Sequence, residues 1–433
     1  MTHQANRRIL LFLANLLAVS AATYATGATA GTPMPWEENE PIVEVRREVY
    51  RQHAAKGASA WASARYVGPG LLREEVHTVM ATSDTPKKPM RRRSQDNGRT
   101  WTDFEPMAEV VLKVKGQRVY WGGGPELYDV EHGVSVGIWL KQPHIGGRHH
   151  NHSFARISRD QGLTWEEPKL LRYEPGDDFD PDDPFKPGYL RHNQAYFGSN
   201  ILRRSDGTLV HCVAHANAPN DPKNDARAWR MASLCFLGKW NAATKEYDWT
   251  PGERVEISPD ISSRGLMEPF VAELKDGRLL IVWRGSNTAK TAGRKWFSIS
   301  TDGGRTLSPP AEWKYDDGSQ FYSPSAIHKM LRHSVTGKLY WLGNICPTPP
   351  KANSPRYPLV IAEVDETTAA LKRSTVTLID DRAEDDSPRL QLSNFSFFED
   401  RRTHHLEIYL TRLGEDADDF WGADAYNYIL TLK

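Results

Sequence analysis

Polar side chains stand repeatedly at the beginnings of apolar, strand-like runs in this chain. Glu268 opens EPFVAEL, and Tyr322 with Ser323 opens YSPSAIH. His192, Gln194 and Tyr196 lead through NQAYFGSNIL, Arg65 and Tyr66 precede VGPGLL, and Asn394 lies in SNFSFF. An acid set immediately before a buried strand needs a partner, because an unpaired carboxylate out of water is costly. Glu268 is therefore the first candidate for chemistry. Two other clusters invite a metal. His144 to His152 (HIGGRHHNH) is rich in imidazoles but lacks an H-E-x-x-H frame, so it reads as a loop touching substrate. Arg172 to Leu190 is acidic and proline-rich without the ligand spacing of a calcium loop, so it reads as a solvated surface loop. No metal and no cofactor are expected.

The elements that must hold these residues repeat. Glu268 to Leu274 and Arg278 to Arg284 are short apolar runs joined by Lys275-Asp276-Gly277, where Asp-Gly supplies the positive φ of a tight hairpin. A third run, Arg294 to Ser300, leads into Ser300-Thr301-Asp302-Gly303-Gly304-Arg305-Thr306-Leu307. The same S-x-D-x-G-x-T-W pattern, with Trp where the third copy has Leu, stands at Ser94–Trp101 and Ser158–Trp165. Ser and Asp side chains can bond backbone within such a turn, and Gly takes its strained position. Six inner-strand candidates follow one another at intervals of roughly 55–75 residues, a period that suggests stacked repeat units with insertions. They are Tyr66–Leu72, Tyr120–Tyr128, Asn193–Leu202, Glu268–Leu274, Tyr322–His328 and Ser393–Phe398. The segment from Pro35 to Ala62 reads either as a strand closing the set or as a short helix.

The three turns are those of Asp-box (BNR) repeats, and the chain resembles the sialidase-like β-propellers. The resemblance implies an all-β, six-bladed propeller of four-stranded antiparallel blades, seven blades if the N-terminal segment forms one. In such a ring the inner strands begin around one axis, which would bring the polar residues above into a single pocket. The family pattern E-P…L-x-D-G-R-L…R falls on Glu268 and Arg284, and a later family arginine falls on Arg356 in SPRYPLVIAEVD. Two guanidiniums suit a substrate carboxylate, which they bind in a planar, bidentate way. The family's acid falls near Asp84, and Arg65 is displaced from the family's R-I-P arginine. The family's tyrosine nucleophile opens the last inner strand, where this chain has Ser393-Asn394-Phe395; Tyr322 opens the preceding one. The expected catalytic set is Glu268, Tyr322 and Asp84, with Arg284, Arg356, Arg65, His192 and Tyr196 binding substrate.

Composition bounds the rest. Lys plus Arg and Asp plus Glu number 55 each in 433 residues, so no basic field points to nucleic acid or membrane. Arg7-Arg8, the apolar run ILLFLANLLAVSAA and Ala28-Thr29-Ala30 read as a secretory signal over residues 1–30. Residues 31–433 then form one exported domain, periplasmic or extracellular, expected as a monomer. Three cysteines cannot build a full disulfide framework; Cys212 and Cys235 fall in neighbouring strand-like runs and could pair, but buried thiols are the expectation for these two and Cys346. The expected partner is a glycan, and the expected activity is sialidase-like removal of a terminal acidic sugar. Two other classes fit the same residues. A propeller polysaccharide lyase on uronates would use Tyr196 or His192 as base, and a non-catalytic glycan-binding propeller would use none.

Overall fold

The computed structural model describes residues 33–433 except 84–85, 109–110, 146–147, 176–179, 181–182, 184 and 217–230. The described chain is all-β and folds as six antiparallel blades around one axis. Blade one is Ser59–Tyr66, Arg73–Met80, Lys87–Ser94 and Glu105–Pro106, and blade two runs from Gln117–Asp129 outward to Lys169–Leu170. Blade three is built on Ala195–Phe197, Leu209–Ala216, Met231–Asn241 and Glu246–Pro251. Blade four is Met267–Glu273, Leu279–Arg284, Lys295–Ser300 and Ala311–Glu312, and blade five starts at Lys329–Arg332. Blade six takes three strands from the C-terminus, Ser396–Glu399, Leu406–Thr411 and Ala425–Leu432. Its outer strand is Val43–Arg51 from the N-terminus, paired antiparallel from Val43↔Leu432 to Arg51↔Ala425.

Six blades rather than seven follow from that pairing. The N-terminal segment supplies both structures that its sequence allowed, a one-turn helix at Pro35–Glu38 and the closing strand. The inner strand of blade one is Ser59–Tyr66, so the Tyr66–Leu72 run lies past its end. Tyr322–His328 likewise leads into its inner strand, Lys329–Arg332, instead of forming it.

The central strands read as unbroken apolar runs because both of their faces are covered. In Leu279–Arg284, Leu280 and Val282 pack toward Trp341 and Val360 of blade five. Leu279, Ile281 and Trp283 pack toward Cys212, Cys235 and Leu237 of blade three. A period of two is thus present, but each face meets a neighbouring blade. Blade one is held differently. Buried Arg73 reaches Glu407 at 3.0 Å and Asp400 at 3.4 Å in blade six, and Arg65 reaches Glu126 of blade two at 2.8 Å. Cys212 and Cys235 are directly opposite one another across two strands of blade three and form a disulfide, whereas Cys346 is a buried thiol. Of the two readings of these cysteines, the disulfide is the one observed, and the favoured one of free thiols is corrected by that register.

The three S-x-D-x-G-x-T turns share one hydrogen-bond pattern. The amides of Gly98, Gly162 and Gly304 donate to the Ser hydroxyl four residues earlier at 2.7–2.8 Å. The Thr hydroxyls donate to the Asp carboxylates at 2.6–2.7 Å. These turns follow the third strand of each blade, so they lie at the end of the ring where inner strands finish. Deleting residues 33–52 removes the closing strand and exposes the edge Ala425–Leu432. The thermal midpoint should fall by roughly 10 °C or more; an unchanged midpoint would show that the ring does not depend on this latch.

Candidate functional site

In every blade the inner strand begins, the second strand ends and the third strand begins at the face opposite those turns. Blade four places three charged residues there on three successive strands. Arg284 ends the second strand, directly opposite Met267 on the inner strand and Lys295 on the third. Glu268 follows Met267 inside a β-bulge that shifts the register before Phe270. A bulge re-aims the side chain it carries. Here Glu268 adopts φ 43°, a left-handed conformation that a side chain other than Asn or Asp rarely takes. The corresponding lead-ins of blades three and six carry Asn193 at φ 55° and Asn394 at φ 61°. Asparagine tolerates this backbone; glutamate occupies it in blade four, and its carboxylate lies 2.8 Å from the Arg284 guanidinium. Both side chains are largely buried, at 16% and 10% exposure. The contact is an ion pair without hydrogen-bond alignment, since Glu268 Oε2 and Arg284 Nε make no hydrogen bond among the described residues.

Further cations surround this pair. Arg264 stands before the inner strand, held where Leu266 N–H donates to the Met231 carbonyl at 2.7 Å and Met231 N–H to the Arg264 carbonyl at 3.1 Å. Gly265 makes that approach possible, because a Cβ there would lie 2.1 Å from the Met231 oxygen, and its φ is 73°. Arg264 donates to Asn353 Oδ1 at 3.2 Å. Burial lowers the Arg264 pKa, and the neighbouring Arg284 charge adds to this. Arg356 donates from Nε to the Asn353 carbonyl at 3.1 Å and from Nη1 to Gln391 and Ser393 at 2.9 and 3.2 Å. Lys295 is fully buried, with its ammonium on the Ala326 carbonyl at 2.5 Å. Burial brings its pKa down to about 7, with the Arg284 charge contributing. The Glu268 carboxylate thus stands beside the guanidiniums of Arg284 and Arg264 and the buried Lys295, with Arg356 held on the neighbouring Asn353 segment.

The other expected residues are sorted by this geometry. Tyr322 precedes the inner strand of blade five, its carbonyl accepts from the Cys346 amide at 2.8 Å, and Arg294 lies 6.0 Å from its ring. No hydrogen bond joins Tyr322 to Glu268 among the described residues. His192 and Tyr196 belong to blade three's part of the same face. His192 pairs with Glu174 at 3.6 Å, and the Tyr196 ring stacks on Phe197 at 4.7 Å. Arg65 is at the wrong end. It lies one residue before the end of its strand, bound to Glu74 and Glu126, and neighbouring Tyr66 donates to Asn97 in the Ser94–Trp101 turn at 2.5 Å. Arg65 and Tyr66 were expected to begin an inner strand, and they finish one. Asp84 lies outside the described residues. The sequence reading missed Arg264 and Lys295. A cation opening RKWFSIS, a strand otherwise apolar on its buried face, was the available signal for Lys295.

No protein-family model matches the chain, and no curated protein matches it in sequence. Solved structures match it in shape. A Hadza microbial sialidase aligns with 86% of this chain at 14% identity and TM-score 0.54, and the chain spans 65% of that protein's length. The phage phi92 endosialidase aligns with 90% of the chain and 69% of its own length, at 10% identity and TM-score 0.51. The GH93 α-L-arabinofuranosidase of Fusarium graminearum, solved with arabinobiose, aligns with 90% of the chain and 98% of its own, at 10% identity and TM-score 0.50. At these identities the likeness is one of fold, a propeller shared by proteins acting on different sugars.

The geometry predicts a coupling. Arg284→Met leaves the Glu268 carboxylate without its nearest cation and should cost about 3 kcal/mol in urea unfolding. Adding Glu268→Gln should return part of that loss. A double variant as unstable as the sum of both single variants would show that the pair does not interact.

Proposed function

We propose that the chain is a propeller glycoside hydrolase that removes a terminal acidic sugar, sialic acid or a related one, from glycans. The observation that carries this reading is the charge distribution of the blade-four mouth: Arg264, Arg284 and the buried Lys295 stand around the Glu268 carboxylate. A site with surplus guanidiniums, partly shielded from water, favours a ligand that brings its own carboxylate. A neutral sugar would leave that surplus uncompensated. The propeller fold shared with sialidases supports the same class without naming the sugar.

In this reading Arg284 and Arg356 hold the sugar carboxylate, with Arg264 beside them. Glu268, pre-set by its bulge, serves as the base that activates a hydroxyl nucleophile. Tyr322 is the proposed nucleophile, brought to Glu268 when substrate fills the mouth. A neutral phenol can approach an anionic sugar without the repulsion that a second carboxylate would suffer. His192 and Tyr196, one blade away, contact the remainder of the glycan, and Asp84 is proposed to protonate the leaving oxygen. Export is part of the proposal, supported by the signal-like residues 1–30 and by the Cys212–Cys235 disulfide, which suits an oxidising compartment. The partner is carbohydrate, and the protein acts as a monomer.

The test is a panel of sialylated, uronate-containing and neutral glycans, read for released reducing sugar and for ultraviolet absorbance. Reducing sugar without absorbance, from acidic substrates only, is the expected result. Absorbance from an unsaturated product would make the protein a lyase, and binding without either product would make it a lectin-like propeller. Glu268→Gln and Tyr322→Phe should each lower turnover on the order of a hundredfold, and the double variant little more than the worse single one. Full activity in Tyr322→Phe would move the nucleophile elsewhere; activity in Glu268→Gln as well would end the proposed mechanism.

A further inference from the structure

Lys295 is the anomaly of the site. Its side chain is fully buried, yet it forms no ion pair within 4 Å among the described residues. Its Nζ is bonded only to backbone carbonyls, Ala326 at 2.5 Å and Pro324 at 3.5 Å, on the segment that leads from Tyr322 into blade five. The charged groups facing it are Arg284 across the ladder, Arg356, and Glu268 on the inner strand; titratable Cys346 and His328 complete its surroundings. Glu268 is already paired to Arg284. Burying a cation beside two guanidiniums without its own counter-ion is costly, and the cost disappears if the amine is neutral or if an anion arrives.

We infer that Lys295 makes anion binding at the mouth proton-linked: the lysine takes a proton from solvent as the acidic sugar's carboxylate binds, and so selects for acidic ligands. The inference rests on the proposed acidic-sugar reading and adds the residue that balances its charge. Lys295 works through Arg284, so it is a positioning residue for charge and need not touch the sugar. Burial, with Arg284 adding to it, holds the free lysine at about 7. A carboxylate on Arg284 cancels that repulsion and raises the lysine's affinity for a proton. Above about pH 7 the empty site is therefore mostly neutral at Lys295 and the filled site protonated, so binding takes up a proton and weakens as pH rises. By linkage the proton favours the anion as much as the anion favours the proton. The neighbouring titratable groups give different windows. Burial, with Lys295 adding to it, puts His328 well below the usual histidine range. Burial also pushes the Cys346 thiol up to about 12.

The experiment is titration calorimetry of the mature protein with N-acetylneuraminic acid and with glucuronic acid. Runs at about pH 8 and about pH 5.5, in buffers of different ionisation enthalpy, give the protons exchanged. Expected is uptake of most of a proton at the higher pH and almost none at the lower. Lys295→Met and Lys295→Arg should both abolish the uptake, the first because no amine remains and the second because arginine does not shed its proton. Lys295→Met should also weaken acid binding on the order of tenfold at the lower pH, where the wild-type lysine is charged. A lysine that served only to hold the Ala326 carbonyl would leave the uptake in place when replaced by arginine. If the variants do not fold, the wild-type measurement still decides, since binding without uptake at about pH 8 overturns the inference. Uptake that instead grows toward acid pH assigns the proton to His328 and overturns it too. In both of those cases the acidic-sugar reading stands; failure of both acids to bind would overturn that reading together with the inference.

Discussion

The structure depends on one ladder, the antiparallel pairing of Val43–Arg51 with Ala425–Leu432. Six blades define an axis only if the ring is closed, and no blade buries its faces except against its neighbours. Phe270 and Trp341 share one core across blades four and five, and Val43 joins Leu359 and Leu430 across five and six. Closing the ring with a strand from the far end of the chain ties the termini into blade six. It also fixes where every inner strand begins, and the candidate site is made of those beginnings. The entropy of closing so long a loop is modest, because it rises only slowly with chain length.

Blade four departs from regular geometry at the candidate site. Glu268 occupies a left-handed backbone position where the equivalent lead-ins of blades three and six use asparagine. The bulge aims its carboxylate at Arg284, and the strand order brings Lys295 in beside Arg284. An unfavourable backbone conformation of this kind is held by the packing around it. The Gly265–Met231 contact is part of that packing, since it pins Arg264 to the edge of blade three.

Arginine–carboxylate pairs mark both faces of the ring. At the turn face, Arg65, Arg73 and Arg93 are each matched by carboxylates from their own or adjoining blades, which serves docking of blade one. At the opposite face, Arg284 pairs with Glu268, and Arg412 pairs with Asp380 and Asp386. The same residue type thus meets carboxylates at both ends of the ring.

The sequence by itself determined the repeat. Three S-x-D-x-G-x-T turns and the Asp-Gly hairpins are local structures, fixed by hydrogen bonds within a few residues, so they are legible without any fold. It also pointed to Glu268 and Arg284, which one hairpin separates, while the bulge that sets Met267 opposite Arg284 is not legible there. The rest of the site needed the ring. Arg65 sits beside an apolar run just as Glu268 does, and only strand direction sends it to the other face. Arg264, Lys295 and Arg356 come from separate elements, and Asn353 and the Ala326 carbonyl gather them through contacts that cross from blade four to blade five. The Cys212–Cys235 bond likewise depends on the register of two strands. Local pattern specifies which residues are polar at a strand's end; which end, and beside which neighbour, is decided by closure.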